Sequence, residues 1–124
     1  MKFMVVVENA GPVEATARRF VCALAESGHS VVGVFFYHDG ARCGAANRLM
    51  MRDEVDASKQ WQGLAERLGV ELTICVNTGR RRAVLDQQQG AGKWQPNLAE
   101  GFRLVGLAEY LDKAATADRV VRFR

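Results

Sequence analysis

The sequence predicts an open α/β fold: a mostly parallel sheet of about five strands with helices on both faces, flavodoxin-like in architecture. Three observations predict it. Short, near-continuous apolar runs recur along the chain, among them Val31-Val32-Gly33-Val34-Phe35-Phe36-Tyr37 and Leu72-Thr73-Ile74-Cys75-Val76, the pattern of strands covered on both faces. Segments with apolar residues at helical spacing separate these runs. Strands alternating with helices imply parallel pairing through right-handed crossovers. The 124 residues form a single domain, 1–124, long enough for a hydrophobic core without disulfides or metal.

Taken in order, Lys2 to Glu8 is the first strand and Asn9-Ala10-Gly11-Pro12 the turn after it, with Pro12 placed to open a helix. That helix runs to about Ser27, with Val13, Ala17, Phe20, Val21 and Leu24 on its core face, and Gly28 ends it. Ser30 to Tyr37 is the second strand. His38 to Val55 is a long Gly-, Ala- and Arg-rich segment in which Ala45 to Met51 is expected to form a short helix. Asp56 or Ser58 caps the next helix, whose Trp61, Leu64, Ala65 and Leu68 face the core, and Gly69 stops it. Val70 to Val76 is the third strand. Asn77-Thr78-Gly79 reads as the turn into a helix from about Arg80 to Gln88, and Gly90 to Pro96 reads as the most flexible loop. Phe102 to Val105, Leu107 to Ala115 and Asp118 to Phe123 complete the pattern as strand, helix and strand.

Composition narrows the function classes. No apolar stretch approaches the ~20 residues that cross a bilayer, and the start is a strand meeting Glu8 rather than a signal peptide. The chain is expected to be cytoplasmic and away from membranes. Its net charge is +3 and 13 of its 17 cations are arginine, which suits carboxylate or phosphate recognition but is too modest for a DNA-binding surface. Cys22, Cys43 and Cys75 show no metal-ligand spacing, and an odd number of cysteines points to free thiols. No phosphate-cradling glycine pattern, no Ser/His/Asp arrangement and no metal cluster can be argued, so no cofactor is expected.

The candidate site is Cys75. A thiol at the carboxyl end of a parallel strand sits where open α/β sheets place their chemistry. Amides and the dipole of the following helix are expected to favour its thiolate. Glu8-Asn9 and Tyr37-His38-Asp39-Gly40 reach the same edge, and the 38–55 loop is positioned to cover it. His38 is a candidate acid/base, although a loop histidine is more often solvated. Arg80, Arg81 and Arg82 stand at an expected helix start, where cations oppose the dipole, so either the thiolate, an acidic partner or plain solvation accounts for them. Cys43 is expected to be exposed, as a resolving thiol or a bystander, and Cys22 to be a bystander on the polar side of the first helix. Trp94, in a Gly-flanked loop, is a candidate partner anchor.

The sequence resembles the DsrE/TusD family of small sulfur-relay proteins. The matching pieces occur in family order: Met1-Lys2-Phe3, Val34 to Gly40, Ala46-Asn47, Trp61-Gln62-Gly63-Leu64, Leu72 to Val76 with Arg81-Arg82, Asn97 to Leu107, and Ala117 to Phe123. The resemblance implies a cytoplasmic sulfurtransferase whose cysteine, Cys75 by position, carries sulfur as a persulfide to a partner. It further implies related small subunits in a heterohexamer, sulfur donor and acceptor proteins, and service in tRNA 2-thiouridine formation or dissimilatory sulfur oxidation. The rival expectation is a non-catalytic subunit of such a complex, with Cys75 inert. Asn77-Thr78-Gly79 replaces the Ala-rich stretch the family leads one to expect after the cysteine.

Overall fold

The apolar runs become five strands: β1 (Lys2–Val7), β2 (Ser30–Phe36), β3 (Leu72–Cys75), β4 (Phe102–Val105) and β5 (Arg119–Phe123). In this computed structural model, which describes residues 1–124, they form one all-parallel sheet in the order β4-β3-β2-β1-β5. The helices are α1 (Pro12–Glu26), α2 (Ala57–Leu68), α3 (Val76–Arg81), α4 (Gln87–Gly90) and α5 (Leu107–Ala114).

Strand alternation sorts the core into two clusters. Val5, Val7, Val34, Phe36, Leu72, Ile74 and Phe102 point to a broad face and pack under α1 and α2. Met4, Val6, Phe35, Cys75 and Val105 point the other way, against Tyr110 and Ala114 of α5. A bulge pairs Phe3 with Val31 but Met4 with Gly33. The extra residue keeps both strands in phase on the two faces.

Topology decides which face each helix covers. From β1 to β4 the chain steps across the sheet in one direction, so right-handed crossovers lay α1 and α2 on the same face. The last connection returns from β4 to the far side of β1, and the same handedness puts α5 on the opposite face. The expectation of helices on both faces holds, with unequal cover.

Local sequence explains the element ends. Asp56 caps α2 by accepting from the Ser58 and Lys59 amides, and Gly69 closes it with φ of 67°. On α1, Val13 is only half-buried, whereas Glu14 is buried. The Glu14 carboxylate accepts from Arg18 at 2.8 and 3.1 Å and from Trp61 Nε1 at 3.0 Å. That network satisfies the buried charge and ties α1 to α2.

Two segments differ from the sequence expectation. Residues 45–51 are not a helix; a 3-10 helix spans His38–Gly44 instead. Gly40 lies so close to β1 that a Cβ there would be 2.0 Å from the Val7 carbonyl oxygen. Beyond it Ala45 is extended and Ala46-Asn47 form a turn, because Ala45 pairs with Leu98, the Ala46 amide donates to Asn97 O and the Ala99 amide to Gly44 O. These long-range bonds outweigh the helical propensity of the alanines. Likewise, no single helix spans 80–88. α3 begins immediately after Cys75, so Asn77-Thr78-Gly79 is its first turn, and a turn separates it from the short α4.

Candidate active site

β3 places Cys75 at the carboxyl edge of the sheet, paired in register with Val105 of β4. The chain after β3 folds onto the broad face, where Gly79 of α3 approaches Ile74 and Leu104. The chain after β4 leaves onto the opposite face as α5. Neighbouring strands whose continuations part to opposite faces open a crevice at their carboxyl ends, the switch point at which open α/β sheets bind ligands. Cys75 stands at that point. Its side chain lies on the α5 side, 2% exposed, among Met4, Val6, Phe35 and Val105.

Cys75 is also the N-cap residue of α3, although its side chain accepts no capping hydrogen bond. Tyr37, which packs on the cluster holding Cys75, stacks on Phe35 at 5.9 Å, and Tyr110 of α5 stacks on Phe35 at 4.2 Å. These rings cover the cluster that holds the thiol on the α5 side. The helix itself is clamped by Arg103, which bonds both Glu71 and Glu109, and by Lys113, 3.2 Å from Glu71. Hydrogen bonds from Arg103 hold the Glu71 and Glu109 carboxyls below the usual carboxylate range.

The other candidates are distributed differently from expectation. Arg80 and Arg81 occupy the last turn of α3, not a helix start. Six residues of helix separate that end from Cys75, about 9 Å of rise, and cations at a helix C-terminus are favoured by the dipole. They need no thiolate to explain them. Arg82 turns away to Asp39, at 2.9 Å, whose carboxyl is held below its ordinary range by that bond. His38 is 58% exposed at the side chain, with Nε2 3.7 Å from Glu8 and its ring beside Tyr37. Cys43 is not exposed but fully buried in the broad-face core. Burial, with the Glu14 charge adding to it, pushes its thiol up to about 12, so it is held as a neutral thiol. Cys22 is half-buried on α1 and accepts from Arg67 Nη2 at 3.3 Å. Trp61 is buried, as its spacing suggested, and Trp94 is 66% exposed, as its Gly-flanked loop suggested.

Sequence reasoning placed Tyr37 at the Cys75 edge but missed Tyr110, which packs on the cluster that holds the thiol. Tyr110 carried a signal, lying three residues after Leu107 and four before Ala114 on one helical stripe. No group of His, Cys, Asp or Glu is placed to hold a metal ion, and no helix is long and apolar enough to cross a membrane.

A family model of the DsrE/DsrF-like family matches residues 1–123. The chain belongs to this family. A protein named sulfurtransferase TusD homolog from Vibrio parahaemolyticus is 42% identical over 110 residues, covering 87% of this chain and 84% of its own length. The sulfurtransferase TusD of Erwinia tasmaniensis is 40% identical over 111 residues, covering 88% and 87%. A TusD homolog from Pseudomonas aeruginosa is 34% identical over 127 residues, covering 99% and 97%. Among solved structures, the ychN protein from E. coli superposes with a TM-score of 0.72 at 19% identity, over 99% of this chain and 100% of that one, a likeness of fold. As a DsrE/DsrF-like protein, the chain carries a cysteine at the carboxyl end of β3.

Proposed function

We propose that this protein is a sulfurtransferase-type carrier that accepts sulfane sulfur as a persulfide on Cys75 and passes it to a partner protein. The observation that carries this reading is the position of Cys75 at the switch point between β3 and β4, together with relatives named sulfurtransferases. In the loading step the Cys75 thiolate attacks the terminal sulfur of a donor persulfide. The new Sγ–S bond forms as the donor S–S bond breaks, and the donor leaves as a thiolate. In the second step an acceptor thiolate attacks the terminal sulfur of Cys75–S–SH, and the Cys75 thiolate leaves. Both steps are heterolytic displacements with no net redox change, and the sulfur itself is the cargo. The acceptors serve tRNA 2-thiouridine formation or dissimilatory sulfur oxidation, and the three free thiols suit the reducing cytoplasm.

A carrier hands on its cargo through contact, and the α5 face supports one. Leu107, Leu111 and Val120 are 48%, 61% and 45% exposed beside the cluster that holds the thiol. Related small subunits of a hexameric complex fit that surface. Light scattering should show the chain as a dimer or larger, alone or with co-expressed relatives.

The 2% exposure of Cys75 favours a second reading, an inert thiol in a subunit that serves assembly. Transfer separates the two. Wild-type protein loaded with polysulfide and then desalted should deliver one sulfur per chain to a thiol acceptor, while Cys75→Ser delivers none. Equal delivery by the two proteins would exclude Cys75 as carrier, and failure of wild type to load at all would favour the inert subunit.

A further inference from the structure

A cleft outside the Cys75 site lies just beyond the C-terminal end of α3. Arg42 of the 3-10 segment, Arg48 of the loop that follows it and Arg82 at the end of α3 line one cleft of about 450 Å3 with Asn47 and Asn97. The cleft is built rather than incidental. Asn97 accepts from the Leu85 amide at 2.7 Å and donates to Ala83 O at 2.7 Å and to Asn47 Oδ1 at 3.1 Å. Its backbone carbonyl takes the Ala46 amide. One asparagine therefore joins the two segments that carry Arg48 and Arg82.

The cations in this cleft outnumber their partners. Arg82 is engaged by Asp39 at 2.9 Å and, more weakly, by Thr78 O at 3.5 Å. Asp39 also feels the charge of Arg42, yet Arg42 and Arg48 make no ion pair. Nη1 of Arg48 is enclosed and donates to no acceptor. Arg82 takes the one carboxylate beside the cleft, Asp39, so the guanidiniums of Arg42 and Arg48 are left without an anionic partner. We propose that this cleft binds a doubly charged tetrahedral oxyanion of the phosphate or sulfate type, held by Arg42, Arg48 and Arg82. Such an anion supplies several acceptors at once and neutralises the excess charge, and guanidinium forks suit it better than ammonium groups do. This site involves neither Cys75 nor the sulfur-transfer reading.

The test is a titration of the full-length protein with sodium phosphate and with sodium sulfate, followed by backbone amide NMR and calorimetry. Sodium chloride at matched ionic strength is the control. Saturable shifts are expected at residues 42–48, 82–84 and 97, with chloride nearly silent. Arg42→Ala, an exposed position, should weaken binding at least about fivefold. Asp39→Asn should tighten it by roughly threefold, since it removes the competing carboxylate and frees Arg82. That gain separates a binding site from a structural cluster, which would only be weakened. Chloride shifts equal to those of phosphate, or an affinity unchanged in both variants, would overturn the proposal.

Discussion

At the scale of single residues, close approach and burial set what each side chain does. Gly40 is the sharpest case, because an alanine methyl would sit 2.0 Å from the Val7 carbonyl oxygen. Gly40→Ala is expected to cost more than about 2 kcal/mol, since backbone on both sides must move. Urea unfolding of the variant checks this, and a loss within about 0.5 kcal/mol would contradict the contact. Cys43 gives a pH signature. Its ordinary value is 9.0 and its folded value about 12, so in that window the unfolded chain gives up a proton that the folded chain keeps. The stabilising contribution is full below the lower value and falls as pH rises toward the upper one, by at most about 1.4 kcal/mol per pH unit. Wild type should therefore lose more stability than Cys43→Ala between pH ~8 and ~10.5. Equal losses would mean that Cys43 is not buried as described. Neither effect was legible in the sequence. Cys43 sits between Arg42 and Gly44 and looks like loop, and only folding brings it under α1 beside Glu14.

At the scale of elements, polar links decide how helices seat on the sheet. The Glu14 carboxylate holds Arg18 on its own helix and Trp61 of α2. Glu14→Ala leaves an indole N–H and a guanidinium without their acceptor, and a loss of about 2–4 kcal/mol is expected in chemical denaturation. Glu14→Gln, which keeps an acceptor, should lose less. The clamp on α5 responds to acid instead. The folded-state values of Glu71 and Glu109 are depressed, so their contribution is present above the ordinary carboxylate value and is lost as pH falls through the depressed one. Between pH ~6 and ~3, after correction for intrinsic exchange rates, amides of α5 should lose more protection than those of α1, and a uniform response would argue against the clamp. Most elements could be read from pattern alone: β1, β2, β4, β5, α1, α2 and α5 fall within a residue or two of their expected ends. The α3 region could not. Asn77, Thr78 and Gly79 look like a turn by propensity, yet Thr78 and Gly79 are buried, and Gly79 fits where a larger residue would press on Val84 O at 3.1 Å. Tertiary packing there overrides the local preference.

At the scale of the whole molecule, function follows from connectivity. Four strands laid down in one direction and a fifth returned to the far side of β1 make continuations part at β3 and β4, and Cys75 ends β3. The cysteine's place at the strand end was legible because the apolar run Leu72-Thr73-Ile74-Cys75 announces it. The distribution of charge around it was not, because Arg80 to Arg82 depend on where α3 starts. The structure leaves a single thiol at the ligand edge, with Cys43 sealed in the core, contrary to its loop-like sequence, and Cys22 on α1 beside Arg67 of α2. The most direct measurement is peptide mass mapping of the folded protein after incubation with inorganic polysulfide and removal of excess. The account predicts one added sulfur per chain on the peptide that contains Cys75, absent in Cys75→Ser and retained in Cys22→Ser and Cys43→Ala. Sulfur that persists in Cys75→Ser, or that maps to Cys22 in the wild-type protein, would contradict it.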